Sequence, residues 1–94
     1  MIKHVVCFKL KPNQSPEKAK EVLLSMKDNV PMLKGIEVGI DELRSARSYD
    51  VMLTVLLEDF SALDNYQVDE YHVNVVKKHM HAVTESSISM DYSI

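Results

Sequence analysis

The chain is poor in the residues that cross-link a fold or bend it sharply. Its 94 residues include one cysteine, two glycines and no tryptophan. Cys7 alone cannot form an internal disulfide, and no charged leader with an apolar core precedes the first predicted strand, so we expect a cytoplasmic protein. Gly35 and Gly39 cannot build a glycine-rich phosphate loop. We therefore predict no nucleotide and no other cofactor.

Long apolar runs and clusters of basic residues are also missing. No uninterrupted apolar run approaches the roughly 18 residues that indicate a membrane span. The formal net charge is −3, and binding to phosphates requires several basic groups on one surface. Neither a membrane nor a nucleic acid is therefore an expected partner.

The composition is that of an ordinary globular domain. Hydrophobic residues make up 46% of the chain and charged residues 27%, which excludes disordered and fibrous classes. A chain of this length buries only roughly 60–65% of the surface that its unfolded form exposes. We predict a single domain over residues 1–94, with a thin core.

Apolar periodicity predicts four strands. Residues 2–10 and 49–58 are apolar on both faces, so these strands must be covered on both sides. Residues 36–41 and 87–94 instead alternate between apolar and polar side chains, which is typical of strands at a sheet edge.

Two helical regions separate these strands. Ser15 can cap the first helix, with Pro16 at its first position, and its apolar stripe ends at Pro31. Ser61 and Asp64 can form a capping box for the second region, residues 61–83. Asp69 is a second N-cap candidate, so we expect a break near Val68.

The predicted order βαββαβ is that of a ferredoxin-like α+β fold with a four-stranded antiparallel sheet. In that arrangement the first and third strands are central, in agreement with their burial pattern. Two helices can cover only one face of the sheet, so Val5, Cys7 and one side of the third strand would form an exposed apolar patch. A second copy packed against this open face would bury it, and we predict a homodimer.

Several segments resemble the stress-responsive A/B barrel family, the Dabb domains. They are IKHVVCFKLK, VPMLKGIEVGI, SYDVMLTVLLEDFSALDNYQV, His72 and Asp91-Tyr92. The resemblance spans nearly the whole chain and implies a dimeric ferredoxin-like α+β barrel. There are two departures. The chain has Asp69-Glu70 where these proteins often carry His-Pro, and Val51 where similar plant polyketide cyclases carry a histidine.

The resemblance also implies a candidate catalytic site. The related cyclases deprotonate a poly-ketone chain with a helical histidine, beside a tyrosine and a first-strand histidine. The matching positions are His72, Tyr66 and His4. An imidazole can take and return a proton near neutral pH, and a phenol can hold a developing enolate oxygen. Helix and strand periodicity direct His72 and His4 to the same layer, so we expect all three residues to line one cavity.

Each of these residues also has a plain structural interpretation. A histidine on an apolar face is commonly a core residue hydrogen-bonded to a carbonyl or hydroxyl group. Tyr66 could simply pack, with its hydroxyl at the rim of the core. His72, His79 and His81 do not form a metal site by spacing, because His81 points elsewhere on a continuous helix and no cysteine or fixed carboxylate completes a ligand set.

Two functional classes remain open. The protein is either a homodimeric stress-responsive barrel that is non-catalytic or weakly binds a small apolar or ketone ligand, or a cofactor-free enzyme that transfers protons on a ketone or polyketide-like substrate with His72 as base. Val51 and the absence of the His-Pro pair favour the first class.

Overall fold

A four-stranded antiparallel sheet forms one layer of the molecule, and helices form the other. The computed structural model describes residues 1–94, with the strand order β2-β3-β1-β4. The strands are β1 Ile2–Leu10, β2 Gly35–Ile40, β3 Val51–Leu57 and β4 Thr84–Ser93. The helices are α1 Pro16–Leu24, α2 Phe60–Val68 and α3 Lys78–Val83, with a 3₁₀ turn at Ser25–Asp28 and a π-helical segment at His72–Lys77. The predicted ferredoxin-like class and the central position of β1 and β3 are confirmed.

The core lies between the helices and one face of the sheet. Val51, Leu53, Val55 and Leu57 alternate along β3, and all four are buried against the helices. The antiparallel register places His4 of β1 opposite Val55 on one side and opposite Asp91 of β4 on the other. Because directly paired residues point to the same face, His4 and Asp91 both lie on the helix side.

Polar side chains fix the starts of the two longer helices. The Oγ of Ser15 accepts the N–H of Lys18 at 3.0 Å, and Pro16 follows at the first helical position, as predicted. The predicted start of the second helix at Ser61 is wrong. Asp59 is the cap, because its extended backbone directs Oδ1 to the N–H of Ala62 at 2.8 Å.

The predicted break near Val68 is confirmed. Helix α2 ends at Val68, and Asp69 Oδ1 accepts the N–H of His72 at 3.0 Å, so Asp69 acts as the second N-cap. The segment that follows is π-helical from His72 to Lys77. Such segments are short and often occur at functional sites.

A buried carboxylate anchors the loop between β2 and β3. Asp50 accepts the N–H of Leu10 at 2.7 Å and an Nη2 proton of Arg44 at 2.6 Å. Burial opposes ionisation of Asp50, but these two hydrogen bonds and the nearby charge of Lys9 outweigh it and hold the pKa of the carboxyl below its ordinary value. The loop is thereby held against the end of β1.

The sheet face away from the helices is rich in apolar side chains. Met52, Ile88, Met90 and Tyr92 are exposed on it, and Cys7 is a half-buried free thiol. None of the helices has both the length and the apolar character needed to cross a membrane.

Candidate functional site

A cavity of about 230 Å³ opens between the sheet and the helical layer. His4, Tyr66 and His72 all line it, so the structure brings together the three residues that were singled out from the sequence. Its walls are mostly apolar, with contributions from Leu53 of β3 and Val76 of the π-helical segment. The catalytic role of the three residues stays a prediction.

His72 is held by the backbone of α2. Its Nδ1 lies 2.8 Å from the carbonyl oxygen of Tyr66. A carbonyl can only accept, so Nδ1 carries the proton and Nε2 of the neutral ring keeps a free lone pair. Burial lowers the pKa of His72, against the opposing effect of the Tyr66 hydrogen bond, and the charge of Lys77 lowers it further. His72 is therefore a neutral hydrogen-bond acceptor near neutral pH.

His4 is held in the same way by a carboxylate. Its Nδ1 donates to Oδ1 of Asp91, its direct cross-strand neighbour on β4. This bond fixes the orientation of the ring and leaves Nε2 without a hydrogen-bond partner in the protein. Asp91 received no role from the sequence. Only the pairing register of β1 with β4 reveals it, since 87 positions separate the two residues.

Tyr66 lies between the two imidazoles and is completely buried. Its ring stacks on His72 with centroids 4.1 Å apart, and meets His4 edge-on at 5.7 Å. Its hydroxyl donates to Sδ of Met26 at 3.7 Å, so the predicted position of this group at the rim is wrong. Burial raises the pKa of the phenol well above its ordinary value. Tyr66 thus orients the imidazoles, and its hydroxyl is directed into the core, away from a ligand.

Four polar residues complete the lining of the cavity: Gln67, Lys77, His81 and Ser89. Nζ of Lys77 donates to the carbonyl oxygen of Gln67 at 2.8 Å, close to the end of α2. No cluster of three or more His, Cys, Asp or Glu side chains that could hold a metal ion occurs in the chain. Val51 is buried in the core and does not line the cavity.

The geometry defines a small apolar cavity with two fixed imidazoles, each anchored through Nδ1. Such a site can accept a hydrogen bond from a ligand, or a proton from an acidic C–H or O–H group, at Nε2 of the neutral His72 ring. The fold and the site together define a ferredoxin-like α+β protein with a histidine-lined cavity.

The chain belongs to the Dabb family, the stress responsive A/B barrel domain, which it matches over residues 2–94. No curated protein has a matching sequence.

Solved structures share the fold at low sequence identity. A dimeric ferredoxin-like protein of unknown function from Bacteroides fragilis superposes with a TM-score of 0.85 at 21% identity, over 99% of this chain and 95% of that chain. A Dabb family protein from Mesorhizobium loti gives 0.75 at 22% identity, with coverages of 99% and 95%. A hydroxynitrile lyase from Passiflora edulis gives 0.77 at 16% identity, with coverages of 99% and 92%.

Proposed function

We propose that residues 1–94 act as one domain of a homodimeric stress-responsive barrel protein that binds a small, mainly apolar molecule in the cavity lined by His4, Tyr66 and His72. One observation carries this proposal. Both imidazoles line the apolar cavity and are fixed through Nδ1 by protein acceptors, which leaves Nε2 of each ring without a partner in the protein. In the neutral ring of His72 this nitrogen is an acceptor. Ligand sites of this kind combine apolar walls with a few oriented polar groups.

The size of the cavity limits the ligand. A cavity of about 150 Å³ in another protein accepts benzene, and this one measures about 230 Å³. A single aromatic ring with a short polar substituent fits this space. Aromatic alcohols and ketones are therefore the appropriate first probes.

The test is a binding titration of such compounds followed by ligand-observed NMR. Ser89 of β4 lines the cavity, so Ser89→Phe should fill it and abolish binding. Ser87 lies on the same strand face, two residues away and outside the lining, so Ser87→Phe is the matched control and should bind like the wild type. Equal binding by Ser89→Phe, or no binding by the wild type, would overturn the proposal.

A second function is proton transfer on a ketone without a cofactor. It is favoured by the depressed pKa of His72, which burial keeps neutral and therefore able to act as a base at neutral pH. The His4 and Asp91 pair resembles the base and orienter arrangement of general-base catalysis. The hydroxynitrile lyase with the same fold shows that the fold can carry an enzyme.

This second function can be tested without knowledge of the natural substrate. A base at Nε2 of His72 should accelerate exchange of the α-protons of acetophenone in D₂O, measured by NMR, and His72→Gln should remove the acceleration. His79→Gln replaces a histidine outside the cavity lining, so it is the control and should keep the acceleration. Exchange at the rate of buffer alone in the wild type would exclude the reaction for this class of ketone.

The stress role and the cellular location are part of the same proposal. The description of the family supports a stress role, and the free thiol of Cys7 suits a reducing compartment such as the cytoplasm. We expect the abundance of the protein in its source cell to rise under heat or oxidative stress, as measured by quantitative mass spectrometry.

A further inference from the structure

The cavity has a distinct electrostatic character. The chain as a whole carries 14 acidic and 11 basic residues, yet no aspartate or glutamate lines the cavity, and Lys77 is the one lining residue with a permanent charge. A protein with a negative net charge thus presents a cation at its histidine-lined cavity.

The ammonium group of Lys77 is held in place and still has N–H groups that can donate to a ligand. It belongs to none of the ion pairs in the chain. One of its three N–H groups donates to the carbonyl oxygen of Gln67, which leaves two donors. Asp69, whose charge acts on His72, has its Oδ1 engaged by the N–H of His72. An ammonium group fixed in this way loses little further conformational freedom when it binds an anion.

The surroundings of Lys77 supply further polar groups. His81 lies four residues later in the same helical region and also lines the cavity, as does Ser89 on the facing strand. Residues four apart lie on one helix face. A ligand with its apolar body among Val76, Leu53 and Phe8 can therefore place one polar end at Lys77.

We propose that the cavity selects an organic anion, specifically a ligand with an apolar body of about one aromatic ring and a single carboxylate group bound by Lys77. This inference rests on the proposed ligand-binding function and adds the chemical class of the ligand. A charge-assisted hydrogen bond is stronger than a neutral one, so the charge of Lys77 distinguishes an acid from a ketone of the same shape.

The test compares 4-methylbenzoate with 4-methylacetophenone, which have nearly the same shape and differ in charge. The dissociation constants are measured by NMR titration at low ionic strength and neutral pH. The wild type should bind the acid about tenfold more tightly than the ketone.

Three variants assign the preference to a residue. Lys77→Met should bind both compounds equally, because the charge that distinguishes the acid from the ketone is removed. Lys77→Arg keeps the charge and should keep the preference. Lys78→Met removes the exposed neighbouring cation and should also keep the preference, which separates a local contact from the overall charge of the helix. A backbone amide spectrum of each variant establishes that it is folded.

The outcomes separate the two proposals. Equal binding of acid and ketone by the wild type, or a preference that survives Lys77→Met, would overturn the anion inference and leave the ligand-binding function standing. Binding of neither compound would overturn both.

Discussion

Tyr66 is the residue on which the geometry of the site depends. Because its ring contacts both imidazoles, and its backbone carbonyl accepts the proton of His72 Nδ1, one residue sets the orientation of His72 in two ways. Its hydroxyl donates to the sulfur of Met26 in the core. The site is consequently built from an aromatic wall and two imidazoles, without a phenol aimed at the ligand.

His72 should matter for stability as well as for binding. Replacing it by Ala removes the hydrogen bond to the Tyr66 carbonyl and the stacking on the phenol ring, so we expect the free energy of unfolding to fall by about 1–3 kcal/mol. Urea denaturation measures this change. His81→Ala, at an exposed position, is the control and should stay within about 0.5 kcal/mol of the wild type. A His72→Ala protein as stable as the wild type, or more stable, would instead indicate a residue retained for chemistry at the expense of stability.

The depressed pKa of His72 also predicts a pH dependence. Burial lowers the pKa of this ring in the folded state below its ordinary value of 6.5. Just below that pH the unfolded chain binds a proton that the folded chain does not, so stability falls as the pH is lowered from 6.5 toward the folded pKa. His72→Gln should remove the part of the pH dependence of stability that His72 contributes, whereas His81→Gln should keep it. Denaturation curves between pH 7.5 and about 5 test the expectation, and parallel wild-type and His72→Gln profiles would contradict it.

At the scale of elements, the break between α2 and the π-helical segment positions the site. The last carbonyls of a helix lack partners within it, and two of those near the end of α2 are used by cavity residues. The carbonyl oxygen of Tyr66 accepts from His72, and that of Gln67 accepts from Lys77. The end of one helix thus orients two functional side chains of the next.

Capping offers a direct test of how α2 begins. Asp59→Ala should lower stability by about 0.5–2 kcal/mol, because the N–H of Ala62 loses its acceptor at the start of the helix. Ser61→Ala should change stability by less than about 0.5 kcal/mol, because Ser61 is exposed and lies inside the helix. Thermal or urea unfolding distinguishes the two. A larger loss for Ser61→Ala would restore the capping box that the sequence pattern predicts.

Most of the fold could be predicted from two periodicities. Strands apolar on both faces indicate central positions, and alternating strands indicate edges, so β1 and β3 were placed correctly. Helix boundaries were less well predicted from the sequence, because several residue types can act as N-caps. Whether Asp59 or Ser61 caps α2 depends on the backbone angles at the start of the helix. The α-helix after Ser15 ends at Leu24, where a 3₁₀ turn continues the buried stripe.

The site was predictable only in part, for related reasons. Periodicity brings His4 and His72 to one layer, since it fixes the direction of each side chain. It cannot reveal Asp91 as the partner of His4, because that requires the register between β1 and β4. The direction of the Tyr66 hydroxyl depends on packing against Met26 from another part of the chain.

At the scale of the whole molecule, the apolar sheet face away from the helices is the surface that we expect a partner to cover. The helix side of strand β4 carries Ser87, Ser89, Asp91 and Ser93. The strand directs Ile88, Met90 and Tyr92 to the open side. These three side chains are 54%, 66% and 39% exposed. Contiguous apolar patches of this kind mark interaction surfaces.

We expect a dimer in solution, formed by packing of this face against the same face of a second copy, with a total buried area on the order of 1,200–2,000 Å². Sedimentation velocity at micromolar concentration should show a dimer for the wild type and a monomer for Ile88→Glu, because a charge at a paired apolar surface would be buried without a partner. Ser87→Glu places the same charge one residue away, on the helix side of β4, and should remain dimeric. A monomeric wild type, or an Ile88→Glu protein that stays dimeric, would contradict the assignment of the open face as the interface.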